Sequence, residues 1–123
     1  ISEAVGYAAV STAIALNADC IITPTFYGQT ARLIAHFRPK MPNYGVSPHD
    51  RAMRRMQLYW GVYPYKGMME ESSTKIMRNS LKVLKEKGKV KKDDLVVFTA
   101  GDAATNDVDG KSMTNMMNVV VVK

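Results

Sequence analysis

The 123-residue sequence has little cysteine and little histidine: a single cysteine, Cys20, and two histidines. One cysteine excludes an intrachain disulfide and a cysteine-based structural metal site. A chain of this length buries roughly two thirds of the surface that it exposes when unfolded, so it can fold without either. The composition is 46% hydrophobic and 23% charged, as in an ordinary soluble domain. We therefore predict one domain over residues 1–123.

The sequence also lacks a long hydrophobic run. None approaches the roughly 18 apolar residues of a membrane span, and no basic start, apolar stretch and cleavage site mark a signal peptide. We expect a cytoplasmic protein with no membrane partner. The helical pattern already includes the first residue, which leads us to expect that the chain was cut from a longer one.

The chain carries an excess of positive charge, with a net charge of +6 and a pI near 9.5. The excess is concentrated in residues 82–92, which hold six lysines and one glutamate. A basic run of this kind favours phosphate-bearing partners in general, but it is most often a solvated helix face. No aromatic residue lies among these lysines, and a nucleic-acid surface would need such stacking residues. We expect no nucleic-acid partner.

Hydrophobic spacing predicts helices that alternate with short apolar strands. The predicted helices cover residues 1–16, 29–37 and 72–87, with a further helix that is capped by Ser47, has Pro48 in its first position and ends at Gly61. The predicted strands cover residues 20–22, 43–46, 62–65, 95–100 and 119–122. This alternation indicates a mainly parallel sheet that is covered on both faces.

On the first helix, one row of residues at helical spacing is predicted to face the core. The row consists of Val5, Ala8, Ala9, Thr12 and Leu16.

Ligands of such folds bind at the carboxyl ends of the strands, so the loops that begin at Thr23 and Gly101 are the first candidates for a site. The first of these loops leads into a helix, and the unpaired N–H groups of a helix N-terminus favour anions.

Four ordered segments and the end of the chain resemble the C-terminal domain of pyruvate kinase. They are residues 17–22, residues 25–32 (TFYGQTAR), residues 38–42 (RPKMP), residues 60–64 (WGVYP) and residues 114–119. The resemblance covers essentially the whole chain. It implies an α/β fold with three layers (αβα) and a mainly parallel five-stranded sheet whose last strand is antiparallel.

The resemblance also implies a function. Pyruvate kinase transfers a phosphoryl group from phosphoenolpyruvate to ADP in glycolysis, and the family places that chemistry, with its Mg and K ions, in a barrel domain. A barrel needs about 250 residues, more than this chain has. We therefore expect an inactive fragment of a phosphotransferase, with no cofactor of its own. Its expected partners are its own barrel domain, the other subunits of a homotetramer and a phosphorylated small-molecule effector.

In the family, the effector pocket includes a hydroxyl-rich loop at a helix N-terminus. The matching residues are Thr25, Phe26, Tyr27, Gly28, Gln29 and Thr30. Hydroxyl and backbone N–H groups would hold a phosphate there, and a glycine lets the backbone approach it. Tyr27 replaces the usual serine and Phe26 is bulky, so the two rings could fill the pocket.

The loop over residues 101–112 would form the opposite wall, with Lys111 as a charge partner for the phosphate. The acidic residues Asp102, Asp107 and Asp109 of this loop would repel a bisphosphate. They indicate an effector that is smaller or less charged than a sugar bisphosphate, or none.

Other sites have weaker support. Asn106, Asp107, Asp109 and Gly110 suggest a calcium loop, but the alignment puts Thr105 at the first ligand position and Met116 where the bidentate glutamate should be, so we predict no metal. The two histidines, His36 and His49, have no ligand partners at suitable spacing and are expected at a surface or interface. Cys20 is expected to be a small buried hydrophobe.

No nucleophile, base and oxyanion set is recognisable, which argues against an independent phosphatase-like enzyme and predicts no catalytic residue. A free-standing module of the same fold, which binds a phosphorylated metabolite or acts in assembly, stays as the alternative.

Overall fold

The computed structural model describes residues 1–68, 72–100, 114 and 116–123. Within these residues the helices are α1 (Ser2–Leu16), α2 (Gln29–His36), α3 (Asp50–Met56) and α4 (Ser73–Glu86). The strands are β1 (Cys20–Pro24), β2 (Asn43–Ser47), β3 (Val62–Lys66), β4 (Leu95–Ala100) and β5 (Met116–Val121). None of the described helices is long and apolar enough to cross a membrane.

The five strands form one sheet in the order β3-β2-β1-β4-β5. The first four strands are parallel to one another. The last strand pairs antiparallel with β4, from Ala100 opposite Met116 to Leu95 opposite Val121. The predicted mainly parallel sheet with an antiparallel last strand is confirmed. Both β3 and β5 are edge strands of this sheet.

Alternation along the central strands divides the core into two layers. Ile21 and Val97 point to one face, where they pack with Ala9 of α1 and Ile34 of α2. The neighbouring residues Ile22 and Phe98 point to the other face, where they pack with Leu84 of α4. Helix α3 packs on α2 through Ala52, Met56, Ala31 and Ala35. Thus α1, α2 and α3 cover one face and α4 the other, which confirms the three-layer αβα architecture.

The buried face of α1 is not the predicted one. Its buried residues are Gly6, Ala9, Val10 and Ala13. Of the predicted row, Ala9 is buried, Ala8 and Leu16 are exposed, and Val5 and Thr12 are partly buried. Apolar side chains occur on several sides of α1, so hydrophobicity alone does not define its core face. The core face of α1 is instead defined by how closely the helix packs. A Cβ on Gly6 would lie 3.1 Å from Leu33 of α2, so there is room only for small residues on the side that faces the sheet and α2.

The start of α3 also differs from the prediction. Ser47 is the last residue of β2, opposite Lys66, and the helix begins at Asp50 with His49 as its N-cap. The Ser47 hydroxyl accepts a hydrogen bond from the His49 N–H (3.1 Å) and donates one to the carbonyl of Phe26 (3.0 Å). Strand pairing therefore holds Ser47 in the sheet, and its side chain ties two loops together instead of capping a helix.

Candidate functional site

The predicted effector loop connects the carboxyl end of β1 to the first turn of α2. Gly28 is the N-cap of α2 and has a φ of 91°, a left-handed conformation that glycine adopts without strain. Its N–H donates to the Thr25 hydroxyl (3.0 Å), and the Thr25 N–H donates to the Val46 carbonyl (2.9 Å). A Cβ on Gly28 would lie 3.2 Å from Cγ of Met56. The loop is therefore a tight turn fixed on β2 and α3.

The hydroxyl of Thr30 faces the interior. Its Oγ1 lies 2.9 Å from the Oγ1 of Thr114, and both residues are buried. The Thr114 N–H donates to the Ser2 hydroxyl (3.1 Å). The first hydrogen bond links the start of α2 to Thr114, just before β5, and the second links Thr114 to the start of α1. Thr30 therefore already has a partner within the protein.

Two bulky residues of the loop form an aromatic cluster with His49. The Tyr27 and His49 rings are stacked, with centroids 5.4 Å apart and an interplanar angle of 3°. The Phe26 ring lies 6.3 Å from that of His49, and Arg55 donates a long hydrogen bond (3.4 Å) to the Tyr27 carbonyl. Tyr27 is about half exposed. His49 and Arg55 were not among the predicted site residues, because only the pairing of β1 with β2 brings them to this loop.

A buried polar group lies beneath the start of α2. Thr23 Oγ1 donates to Asn43 Oδ1 (2.8 Å), and Asn43 Nδ2 donates to the Ala31 carbonyl (3.1 Å). On the adjacent strand β4, the buried hydroxyl of Thr99 has no hydrogen-bond partner among the described residues. Because Ile22 pairs with Phe98, Thr23 and Thr99 lie side by side at the carboxyl edge of the sheet. Within the described residues, this edge therefore holds a buried hydroxyl whose hydrogen bond is not accounted for.

The predicted opposite wall lies outside the described residues. This applies to Lys111, to Asp102, Asp107 and Asp109, and to the other loop residues of the suggested calcium site. Within the described ranges, no group of three or more His, Cys, Asp or Glu side chains is placed to hold a metal ion.

Two titratable groups have shifted pKa values that fit their surroundings. Burial raises the pKa of Cys20 to about 12, with smaller contributions from Asp94 and Asp19. The thiol is therefore neutral at physiological pH, as expected for a small buried hydrophobe. The hydrogen bond and charge of Lys66 hold the pKa of Asp50 below its ordinary value; the two side chains form an exposed ion pair of 2.9 Å. Neither group belongs to the effector loop.

A second surface feature is the row on α1 that was predicted to be core, without its one buried member, Ala9. With about 100° per residue, the row of Val5, Ala8, Thr12 and Leu16 lies roughly 140° around the helix from Tyr7. Tyr7 packs edge-to-face on Phe37, at the end of α2, with ring centroids 5.9 Å apart. The row therefore lies on the flank of α1 that is turned away from α2.

The flank of α1 that carries this row is turned toward β5, which α1 contacts. Val119 and Val121 of β5 lie opposite Val97 and Leu95, on the face of the sheet that α1 covers. The two valines are 44% and 55% exposed, and β5 is an edge strand. We call the row on α1 together with Val119 and Val121 the α1–β5 surface. It is a largely apolar surface, of which Ala8, Leu16, Val119 and Val121 are exposed.

Comparisons with known proteins identify relatives over the whole fold. The family model for the pyruvate kinase alpha/beta domain matches residues 3–120. The pyruvate kinase of Bacillus licheniformis is 34% identical over 122 residues, and that of Clostridium acetobutylicum is 35% identical over 122 residues. Each alignment covers 99% of this chain, but only 20% and 25% of the respective relatives. The chain thus spans about a fifth to a quarter of the length of these relatives.

Proposed function

The chain belongs to the pyruvate kinase alpha/beta domain family, and from that premise we propose that it is the C-terminal regulatory and assembly domain of a longer, cytoplasmic pyruvate kinase. The observation that carries this proposal is the match of the family model to residues 3–120. The parent enzyme would transfer a phosphoryl group from phosphoenolpyruvate to ADP. Its catalytic residues and its Mg and K ions would belong to another domain.

The α1–β5 surface supports the assembly role. Contiguous exposed apolar surface next to an unpaired strand edge is a common feature of interfaces, because burial removes apolar area from water and pairs the free backbone groups. Two-fold symmetry would place β5 antiparallel to the β5 strand of a second copy. It would also bring the two α1 rows together. In a homotetramer, a second kind of interface would come from the rest of the parent chain.

The effector loop supports the regulatory role. Gly28 is the N-cap of α2, so the loop leads into the positive end of that helix, and the Thr99 hydroxyl, which has no partner among the described residues, lies at the same edge of the sheet. A phosphorylated small molecule is the ligand that such a helix N-terminus favours. Regulation then requires that the effector bind one conformation of the parent tetramer more tightly than the other.

Sedimentation analysis of the purified chain tests the assembly role. We expect a dimer that Leu16→Glu and Val119→Glu convert to a monomer, because each places a charge in the apolar contact. Ile14→Glu is the matched control, since Ile14 is 55% exposed on the other flank of α1 and should leave the dimer intact. A wild-type chain that stays monomeric at high concentration, or a control that dissociates equally, contradicts this assembly surface.

Calorimetric titration tests the regulatory role, with fructose 1,6-bisphosphate, ribose 5-phosphate, glucose 6-phosphate and AMP as ligands. Thr30→Ala and Thr114→Ala remove the same internal hydrogen bond from opposite sides. An effector that contacts the Thr30 hydroxyl is weakened by the first variant much more than by the second. Equal effects of the two variants mean that Thr30 serves the fold only, and no binding by any ligand contradicts the effector site.

An assay with phosphoenolpyruvate and ADP tests the absence of catalysis, because turnover by the purified chain would contradict a catalytic site in another domain. The alternative, a free-standing module of the same fold, is distinguished by the upstream reading frame. A frame that encodes a barrel pattern over several hundred residues excludes it.

A further inference from the structure

An open groove lies between α2 and the α3–β3 connection, with a volume of about 290 Å³. Its walls include Arg32, His36 and Arg38 on one side and Leu58, Tyr59 and Trp60 on the other. Arg32 and His36 are one helical turn apart, on the exposed face of α2. Since α2 is eight residues long, about 12 Å, this groove lies toward the opposite end of the helix from Gly28. Its lining does not include any of the loop residues 25–30, although Tyr59 borders both: its Cε2 would lie 3.5 Å from a Cβ on Gly28.

The described lining of the groove carries charge of one sign. Among the described residues, no acidic side chain lines the groove, and the guanidinium groups of Arg32 and Arg38 form no ion pair. Guanidinium groups bind phosphate oxygens through two parallel hydrogen bonds, and two of them suit a dianion better than a singly charged carboxylate. The charged part of a fitting ligand is therefore a phosphate monoester.

Arg38 is held in place by the backbone. Its φ of 48° is a left-handed conformation that non-glycine residues seldom adopt. Its N–H donates to the Ala35 carbonyl (3.0 Å), and the buried Pro39 follows. The guanidinium carbon lies 5.2 Å from the centre of the Trp60 ring. This cation–π contact fixes a donor group beside an aromatic surface before any ligand arrives.

The opposite wall is apolar and uncovered. Leu58 is 85% exposed and Trp60 is 48% exposed, and Tyr59 adds a second ring. Exposed rings beside arginines are suited to stacking with a planar aromatic group, which a sugar phosphate lacks. We propose that this groove binds a nucleoside monophosphate, with the phosphate on Arg32 and Arg38 and the base against Trp60. The site is additional to the effector loop and adjoins it at Tyr59.

Fluorescence tests this assignment directly, because Trp60 is the single tryptophan of the chain. The purified chain is titrated with AMP, adenosine and ribose 5-phosphate, with N-acetyltryptophanamide as the control for light absorption by the nucleotide. We expect a saturable change with AMP. Adenosine lacks the phosphate and ribose 5-phosphate lacks the base, so each should bind at least about tenfold more weakly than AMP. Ribose 5-phosphate that changes the signal with the affinity of AMP overturns the aromatic part of the proposal.

Variants locate the ligand. Arg32→Gln and Arg38→Gln should each weaken AMP about tenfold, whereas the matched control Arg78→Gln, on α4 at the other face of the sheet, should bind as the wild type does. Thr30→Ala should also leave the Trp60 signal unchanged, which separates this groove from the effector loop. AMP binding that persists in both groove variants but is lost in Thr30→Ala places the nucleotide at the loop and refutes the proposal. So does the absence of any saturable signal.

Discussion

The hydrogen bond between Thr30 and Thr114 provides a sharp test of whether the effector loop is built for folding or for binding. Both hydroxyls are buried, and their oxygen atoms lie 2.9 Å apart. Valine has nearly the shape of threonine but no hydroxyl. Thr30→Val and Thr114→Val each remove one partner and leave the other hydroxyl buried without a hydrogen bond, whereas the double variant removes both.

The expected magnitudes follow from this asymmetry. A buried polar group left without its partner costs about 1–3 kcal/mol, but replacement of both partners by apolar groups is nearly neutral. Unfolding entropy of about 2.1 cal/mol/K per residue gives roughly 0.26 kcal/mol/K for 123 residues. A loss of about 1.5 kcal/mol therefore lowers the melting midpoint by about 6 °C. We expect each single variant to lose about that much, and the double variant to lose less than either.

Thermal and urea unfolding followed by circular dichroism provide the measurement. Protein concentration is kept fixed across the four chains, because self-association would itself shift the midpoint. If the losses of the two single variants simply add in the double variant, the hydroxyls do not interact. If Thr30→Val costs nothing, the Thr30 hydroxyl is solvated and available to a ligand, and the structural argument is refuted.

Three further outcomes are expected. Gly45→Ala should destabilise the chain by about 1–2 kcal/mol, because the new Cβ would overlap the buried Sδ of Met56; Met56→Ala should make the same change cheaper in a double-mutant cycle, and strict additivity in urea unfolding would refute the overlap. Since burial raises the pKa of Cys20 from 9.0 to about 12, the folded chain keeps a proton that the unfolded chain loses, so stability should fall as pH rises across this interval; rapid modification of the native thiol by Ellman's reagent at pH 8 would show that it is accessible. Lys66→Gln should raise the pKa of Asp50 toward its ordinary value in an NMR titration, because Lys66 is the main group that stabilises the carboxylate. That stabilisation is present above the ordinary pKa and is lost as pH falls, so an unchanged titration of Asp50 would contradict this.

Much of the fold follows from local patterns in the sequence. Strands β1 and β4 are continuous apolar runs because both of their faces are buried, and such runs are recognisable without a partner. The end of α2 was also predictable, since the residue before Pro39 avoids the helical conformation; Arg38 adopts a left-handed conformation instead. The match of residues 25–30 to a known loop placed the candidate site at the start of α2.

Prediction failed where a long-range contact decided the outcome. Ser47 has the composition of a helix cap, but pairing with Lys66 holds it in β2. The stacking of Tyr27 on His49 depends on the register between β1 and β2, which residues 22 positions apart do not reveal. The contact of Arg38 with the Trp60 ring likewise joins two segments that are distant in the sequence.

The first helix shows most clearly what the sequence determined and what it left open. The sequence determined that residues 2–16 form a helix, because that property depends on neighbours within a few positions, but apolar side chains on several sides of the helix left its core face undetermined. Which row meets the sheet was decided by the tertiary structure: Gly6 and Ala9 permit close packing on α2 and the sheet, so the larger apolar row is left at the surface beside β5. Apolar periodicity reports that a surface will be buried, but not whether the partner is the same chain. Here that difference separates a core helix face from the proposed subunit contact.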